Sequence, residues 1–314
     1  MTSIPTSTST PSAPASAPPT SPPPTVYTQG HSASVLASHL SRTVENSASF
    51  LLPHLKPGFT VVDLGCGPGT ITRGFCAHVP GGKVIGIDAS AEVIERARSL
   101  LSASAEMEQD ATLNSANEDA TLKSANQDPA SLEFLVADVT ARLPFPDASV
   151  DVVYTHQTLL HIPAAERVVQ EAYRILRPEG MLAMREALAI TFLPANAGTL
   201  AYAEGLDKAV RDTGASGFQA GRTLHLWALR AGFDRAKMQV GAGASCYAGP
   251  GGDAKWWADL HAERLDGDVG ARWRDSGVVD DQRAIEDMKA GLAAWGGCDD
   301  AWASVMQGEV ICWK

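Results

Sequence analysis

Short apolar runs alternate with stretches of helical periodicity along this chain, which is the pattern of an α/β fold. Val61, Val62 and Leu64 form a buried strand that enters the turn Gly65-Cys66-Gly67-Pro68-Gly69-Thr70, and a helix opens at Ile71. A second apolar run, Lys83–Ile87, ends in Asp88. The spacing then predicts a helix over Ala91–Leu101, with Ser90 able to cap its first N–H groups. Strands follow at 132–137 and Asp151–Tyr154, then a helix over Pro163–Leu176 and a strand over Met181–Ala187. Ahead of the first strand, His31–Leu55 reads as one or two helices. Further on, Ala197–Thr213 and Ala220–Ala231 read as helices and Lys237–Tyr247 as a strand. A helical region carrying Trp256, Trp257, Trp273 and Trp295 precedes a last alternating strand, Ala303–Trp313.

The turn at 65–69 carries the chemistry. Gly65, Gly67 and Gly69 lack a Cβ, so the backbone can take positive φ and bring N–H groups close to a ligand. A dinucleotide fingerprint requires G-x-G-x-x-G, but position 70 is Thr and the third glycine comes one residue early. Asp63, two residues before the first glycine, would repel a pyrophosphate and suits a cationic amino-acid group instead. A nicotinamide-dependent oxidoreductase is therefore the disfavoured alternative. Open α/β sheets bind ligands at the carboxyl ends of their strands. That rule nominates Asp63 to Gly67, Asp88, Asp138, His156 and Glu186 around one crevice.

Asp63-Leu64-Gly65-Cys66-Gly67-Pro68-Gly69 resembles the first motif of class I S-adenosylmethionine-dependent methyltransferases. Asp138, Val150–His156 and Leu176-Arg177-Pro178-Glu179-Gly180 extend the likeness over roughly residues 27–190. Arg42–Ala48 and His156–His161 narrow it to the ubiquinone/menaquinone-biosynthesis type, especially its fungal small-molecule members. The resemblance implies a Rossmann-like domain over 26–314, with a mostly parallel seven-stranded sheet and helices on both faces. Segments 191–217 and 249–300 would form a helical lid over the substrate. It implies S-adenosyl-L-methionine as cofactor, with Asp88 and neighbouring Ala89 at the ribose, and Asp138 with Val139 at the adenine. The Gly65–Gly69 turn, Cys66 included, would hold the methionine part. Tyr27 is expected to close over the cofactor. Arg42 and Asn46, four apart and so on one helix face, could meet the cofactor's carboxylate or tie the helix to the sheet.

His156 directly follows the fourth strand, where a histidine could contact the ligands or take a proton from an acceptor. His161 reads as a helix-start residue, and His54 and His225 as packing residues. Glu186 and Trp257 are the substrate-pocket candidates, with Trp256 beside them. No metal is called for. The expected reaction is methyl transfer to a small hydrophobic or aromatic metabolite of secondary metabolism. A second alternative is a catalytically silent S-adenosylmethionine-binding regulator, although no motif is broken.

Composition narrows partners and setting. A net charge of −11 without a basic block makes nucleic acid or an anionic membrane an unfavourable partner. No run reaches the roughly eighteen apolar residues of a membrane span. The five cysteines are scattered, odd in number and without a C-x-x-C pair, as in a reducing cytoplasmic setting. Residues 1–25 are uncharged Ser, Thr, Pro and Ala, expected as a disordered tail without the basic residues of a targeting peptide. Gln109–Asn117 is nearly repeated as Glu118–Asn126, which reads as a flexible insertion over 102–131.

Overall fold

β1 (Thr60–Leu64) lies between β2 (Lys83–Asp88) and β4 (Val150–His156), parallel to both. The computed structural model describes residues 33–114, 128–249 and 253–314, with side chains described except at 33 and 103–114. β3 (Ser131–Val136) extends the sheet beyond β2, and β5 (Leu176–Leu193) beyond β4, again in parallel. β7 (Trp302–Trp313) and β6 (Met238–Ala248) complete the other side as antiparallel strands. The order is β3-β2-β1-β4-β5-β7-β6, the expected seven-stranded and mostly parallel sheet. The order in which strands are added reverses between β1 and β4, so a crevice opens there at the strand ends.

Both faces of the central strands are buried, which is why they read as continuous apolar runs. On one face Val61 packs with Phe75, Val84, Val152 and Tyr154, against α2 (Val44–Ala48) and α3 (Thr70–Phe75). On the other, Val62 and Leu64 pack with Ile85, Ile87 and Val153, against α5 (Ala165–Ile175) and α7 (Ala220–Ala231). A third core lies among α6 (Ala197–Arg211), α8 (Ala254–Asp266), α9 (Asp268–Asp275) and α10 (Gln282–Gly296). Phe192, Trp257, Trp273 and Trp295 fill it. Each fully buried aromatic or aliphatic side chain there favours the fold by about 1.5–3 kcal/mol over exposure.

Several boundaries differ from the sequence expectations. α4 (Ala91–Asn114) runs well past Leu101 because residues 101–114 contain good helix formers and no Gly or Pro. The whole second repeat copy and the last three residues of the first fall at 115–127, outside the described residues, as do the 1–25 tail and Tyr27. β5 continues to Leu193, so residues 191–193 of the expected lid are strand. The run Leu188-Ala189-Ile190-Thr191-Phe192-Leu193 is apolar and β-branched, and β7 pairs with it beyond a bulge at Ala187/Ala189.

The N-terminal region is broken between α1 (Ala33–Leu40) and α2. Thr43 is the N-cap of α2 in a capping box with Asn46. Arg42 therefore stands before the helix, and it does not share a helix face with Asn46 as its spacing had suggested.

Candidate active site

Gly65, Gly67 and Gly69 all have positive φ, at 75°, 55° and 79°. Two of them are required by close packing. A Cβ at Gly65 would lie 2.3 Å from Thr158 Oγ1, and one at Gly69 would lie 2.5 Å from Phe134 Cζ. Gly67 differs, since a Cβ there meets nothing nearer than His39 Nδ1 at 3.8 Å. The turn is thus packed on its inner side and open at Gly67. Cys66 is buried in packing; its Sγ would lie 3.0 Å from a Cβ on Gly86, and burial pushes its thiol pKa up.

Asp88, at the end of β2, accepts hydrogen bonds from Gly67 N at 3.2 Å and Ser90 N at 3.0 Å. A carboxylate offers about four lone-pair sites, so acceptor capacity remains for two ribose hydroxyls. Ala89 beside it is exposed. Asp138 is also exposed and accepts from Thr140 N and Oγ1 through Oδ1 alone, while Val139 is buried against the sheet. An open glycine turn flanked by two acceptors at successive strand ends fits a phosphate-free nucleoside with a cationic amino-acid arm.

Beside this turn is a cavity of about 500 Å³, of a size that takes a small molecule. α1 contributes His39, α6 contributes Leu206 and Val210, and α8 contributes Trp257, His261 and Arg264. Arg42, the loop His156 to His161, and Ser245, Tyr247 and Gln307 of β6 and β7 complete much of the wall. His39 joins the two regions, since it lines the cavity and is the side chain nearest Gly67. Burial, followed by the charge of Arg42, holds His39, His156 and His161 below the ordinary histidine range, His161 down to about 3. Burial and then Arg264 do the same to His261. Four neutral imidazoles and two guanidiniums therefore face one space.

His156 is 7% exposed, and its Nε2 lies 3.2 Å from Gln307 Oε1. Gln307 donates its amide Nε2–H to Ser245 Oγ, so Oε1 is the atom that meets the ring. The matching tautomer carries its proton on Nε2 and leaves a lone pair on Nδ1. Nδ1 is buried and without a hydrogen-bond partner among the described residues. Gln157 follows at φ 49° and accepts a 2.7 Å bond from Arg42 Nη2. Trp257 stacks on His261 with ring centroids 3.7 Å apart.

Two nominated carboxylates are committed elsewhere. Asp63 is 3% exposed and accepts a 2.6 Å bond from Thr72 Oγ1 of α3. Burial, opposed by that bond and helped by the Asp88 charge, pushes its pKa up to about 7. Glu186 is fully buried and accepts from the N–H groups of Thr158, Leu159 and Leu160. It therefore shapes the loop after β4, and it is not among the residues that line the cavity. Sequence reasoning passed over His39, His261, Arg264 and Gln307. The i, i+4, i+7 spacing of Trp257, His261 and Arg264 was the available signal, since it places all three on one helix face.

A doubly wound sheet with this turn and these strand-end acids defines a nucleoside-binding class I architecture. The methyltransferase-domain family matches residues 62–184. The chain is 28% identical to the probable methyltransferase ltbC of Aspergillus luteorubrus, over 92% of this chain and 97% of that one. It is 30% identical to an uncharacterized methyltransferase of Schizosaccharomyces pombe, over 76% and 79% of the two chains. The crystal structure of the YcgJ protein from Bacillus subtilis superposes with a TM-score of 0.51 at 14% identity, covering 88% and 98%, which speaks to the fold alone. The chain belongs to the class I S-adenosylmethionine-dependent methyltransferases. It is an enzyme that methylates a small molecule, and neither an oxidoreductase nor a silent binder is favoured. No helix among the described residues is long and apolar enough to cross a membrane.

Proposed function

We propose that the 500 Å³ cavity holds the methyl acceptor and that this acceptor is a hydrophobic or aromatic metabolite. Bound S-adenosylmethionine supplies an electrophilic methyl group. Asp88 and Ala89 would hold its ribose, Asp138 and Val139 its adenine, and the Gly65–Gly69 turn with Arg42 and Tyr27 its methionine part. Asp63 serves from behind the site by fixing Thr72, and Glu186 by fixing Thr158–Leu160. Trp257 and Tyr247 give the acceptor flat apolar walls. Helices α6 and α8, which line the cavity and share their own core, support a lid that excludes water. The scattered thiols support a cytoplasmic setting, and the resemblance to fungal small-molecule enzymes supports secondary metabolism.

The observation that carries the chemistry is the unpartnered Nδ1 of His156 in the cavity wall. A neutral imidazole at neutral pH can accept the proton of an acceptor hydroxyl as its oxygen takes the methyl. Gln307 fixes the tautomer that presents this lone pair. The test combines S-adenosylhomocysteine calorimetry with turnover across phenols, thiols and amines. His156→Gln should lower kcat on a phenol by about 10²–10⁴ while S-adenosylhomocysteine affinity holds. An unchanged kcat removes His156 as proton acceptor. Asp88→Ala should weaken S-adenosylhomocysteine at least about tenfold, the loss of one charge-assisted contact.

A further inference from the structure

Arg264 is 7% exposed and lines the acceptor cavity. Its Nη2 donates to Ser34 O at 3.2 Å, and its Nε has no hydrogen-bond partner among the described residues. Among the same residues no carboxylate lies within ion-pairing distance of it. Arg185, the other arginine buried to this degree, shows what the fold does elsewhere. It is 3% exposed, pairs with Glu309 at 3.3 Å and donates to Asn46 O at 2.8 Å. An uncompensated buried cation is costly, and tying α8 to α1 through Ser34 O requires only a neutral donor. The charge of Arg264 calls for a partner that the described residues do not supply.

We propose that the acceptor carries a carboxylate, which Arg264 binds as the anchoring contact of the cavity. This rests on the reading of that cavity as the acceptor site. The planar guanidinium fork matches a planar carboxylate in size and charge. Asp253, which also lines the cavity, opposes any anion there, and a phosphate dianion about twice as strongly as a carboxylate. Neutral His39 and His261 beside Arg264 add hydrogen-bonding capacity without competing charge. Trp257 and Tyr247 favour an aromatic or similarly flat body on the acid.

The test uses the full chain saturated with S-adenosylhomocysteine and titrated with 2-naphthoate or 2-naphthamide, read by tryptophan fluorescence and calorimetry. The acid should bind at least about thirtyfold tighter than the amide, as a desolvated charge pair would give. Arg264→Gln, which can still donate to Ser34 O, should abolish that preference, and Arg264→Lys should keep part of it. Both variants should retain wild-type S-adenosylhomocysteine affinity, which shows that they fold. Equal binding of acid and amide, no binding of the acid, or a preference surviving Arg264→Gln overturns the proposal. A loss of S-adenosylhomocysteine binding in the wild-type protein would instead strike at the enzyme assignment itself.

Discussion

Asp63→Asn should change how stability depends on pH more than it changes stability at any one acidic pH. Asp63 is 3% exposed, and burial lifts its pKa from the ordinary 3.8 to about 7. Between those values the folded chain holds a proton that the unfolded chain has lost. Stability therefore falls as pH rises through this window, and the full penalty stands above about pH 7. At about 1.4 kcal/mol per pH unit the total is about 4 kcal/mol, of which about 3 develops between pH 5 and pH 8. The substituted amide would keep an oxygen for Thr72 Oγ1 and would not ionise, and any cost of burying it is the same at both pH values. Glu186, raised to about 7, and the buried histidines also titrate, but they do so equally in both proteins and cancel in the comparison. Urea unfolding followed by tryptophan fluorescence at pH 5 and pH 8 measures the difference. The variant should gain about 3 kcal/mol on the wild type between the two. A gap that does not change with pH would refute the burial argument for Asp63.

Two further outcomes follow from contacts in the same sheet. Gly69→Ala places a Cβ 2.5 Å from Phe134 Cζ at φ 79°, so strain and overpacking together should cost about 3 kcal/mol in urea unfolding. Arg185→Ala leaves Glu309 unpaired beside a strand and should cost about 3–5 kcal/mol, whereas Arg185→Met with Glu309→Gln should recover most of that. Denaturation midpoints of the three proteins check it.

The half of the candidate site assigned to the cofactor was legible because its signals are local. Three glycines, the strand before them and the acids that end β2 and β3 all lie within short segments, and the sheet order gathers those segments at one edge of the crevice. What misled was side-chain direction. Strand alternation puts Asp63 on the face of Val61, toward α3, and not toward the open side of the glycine turn. The strand-end rule likewise located the Cα of Glu186 correctly and missed that three backbone N–H groups claim its carboxylate. The other half is non-local. Arg264 meets Ser34 across 230 residues and His156 meets Gln307 across 151, and no spacing in the chain announces such partners.

The two halves are joined by the loop after β4. Thr158 packs against Gly65 so closely that no Cβ fits, while Glu186 clamps the same residue from below the sheet end through its N–H. One residue earlier, Gln157 at φ 49° holds Arg42, and one residue before that, His156 faces the cavity. Movement of this loop must therefore disturb the glycine turn and the acceptor wall together. A loop so tightly constrained, down to a positive φ on a residue other than glycine, is suited to hold a methyl donor and an acceptor in line. The rest of that cavity wall includes residues of α6 and α8, whose core is shared with Phe192 of β5 and Ala303 of β7 and not with the central strands β1 and β4. Acceptor choice can then change through those helices while the turn and its loop stay fixed.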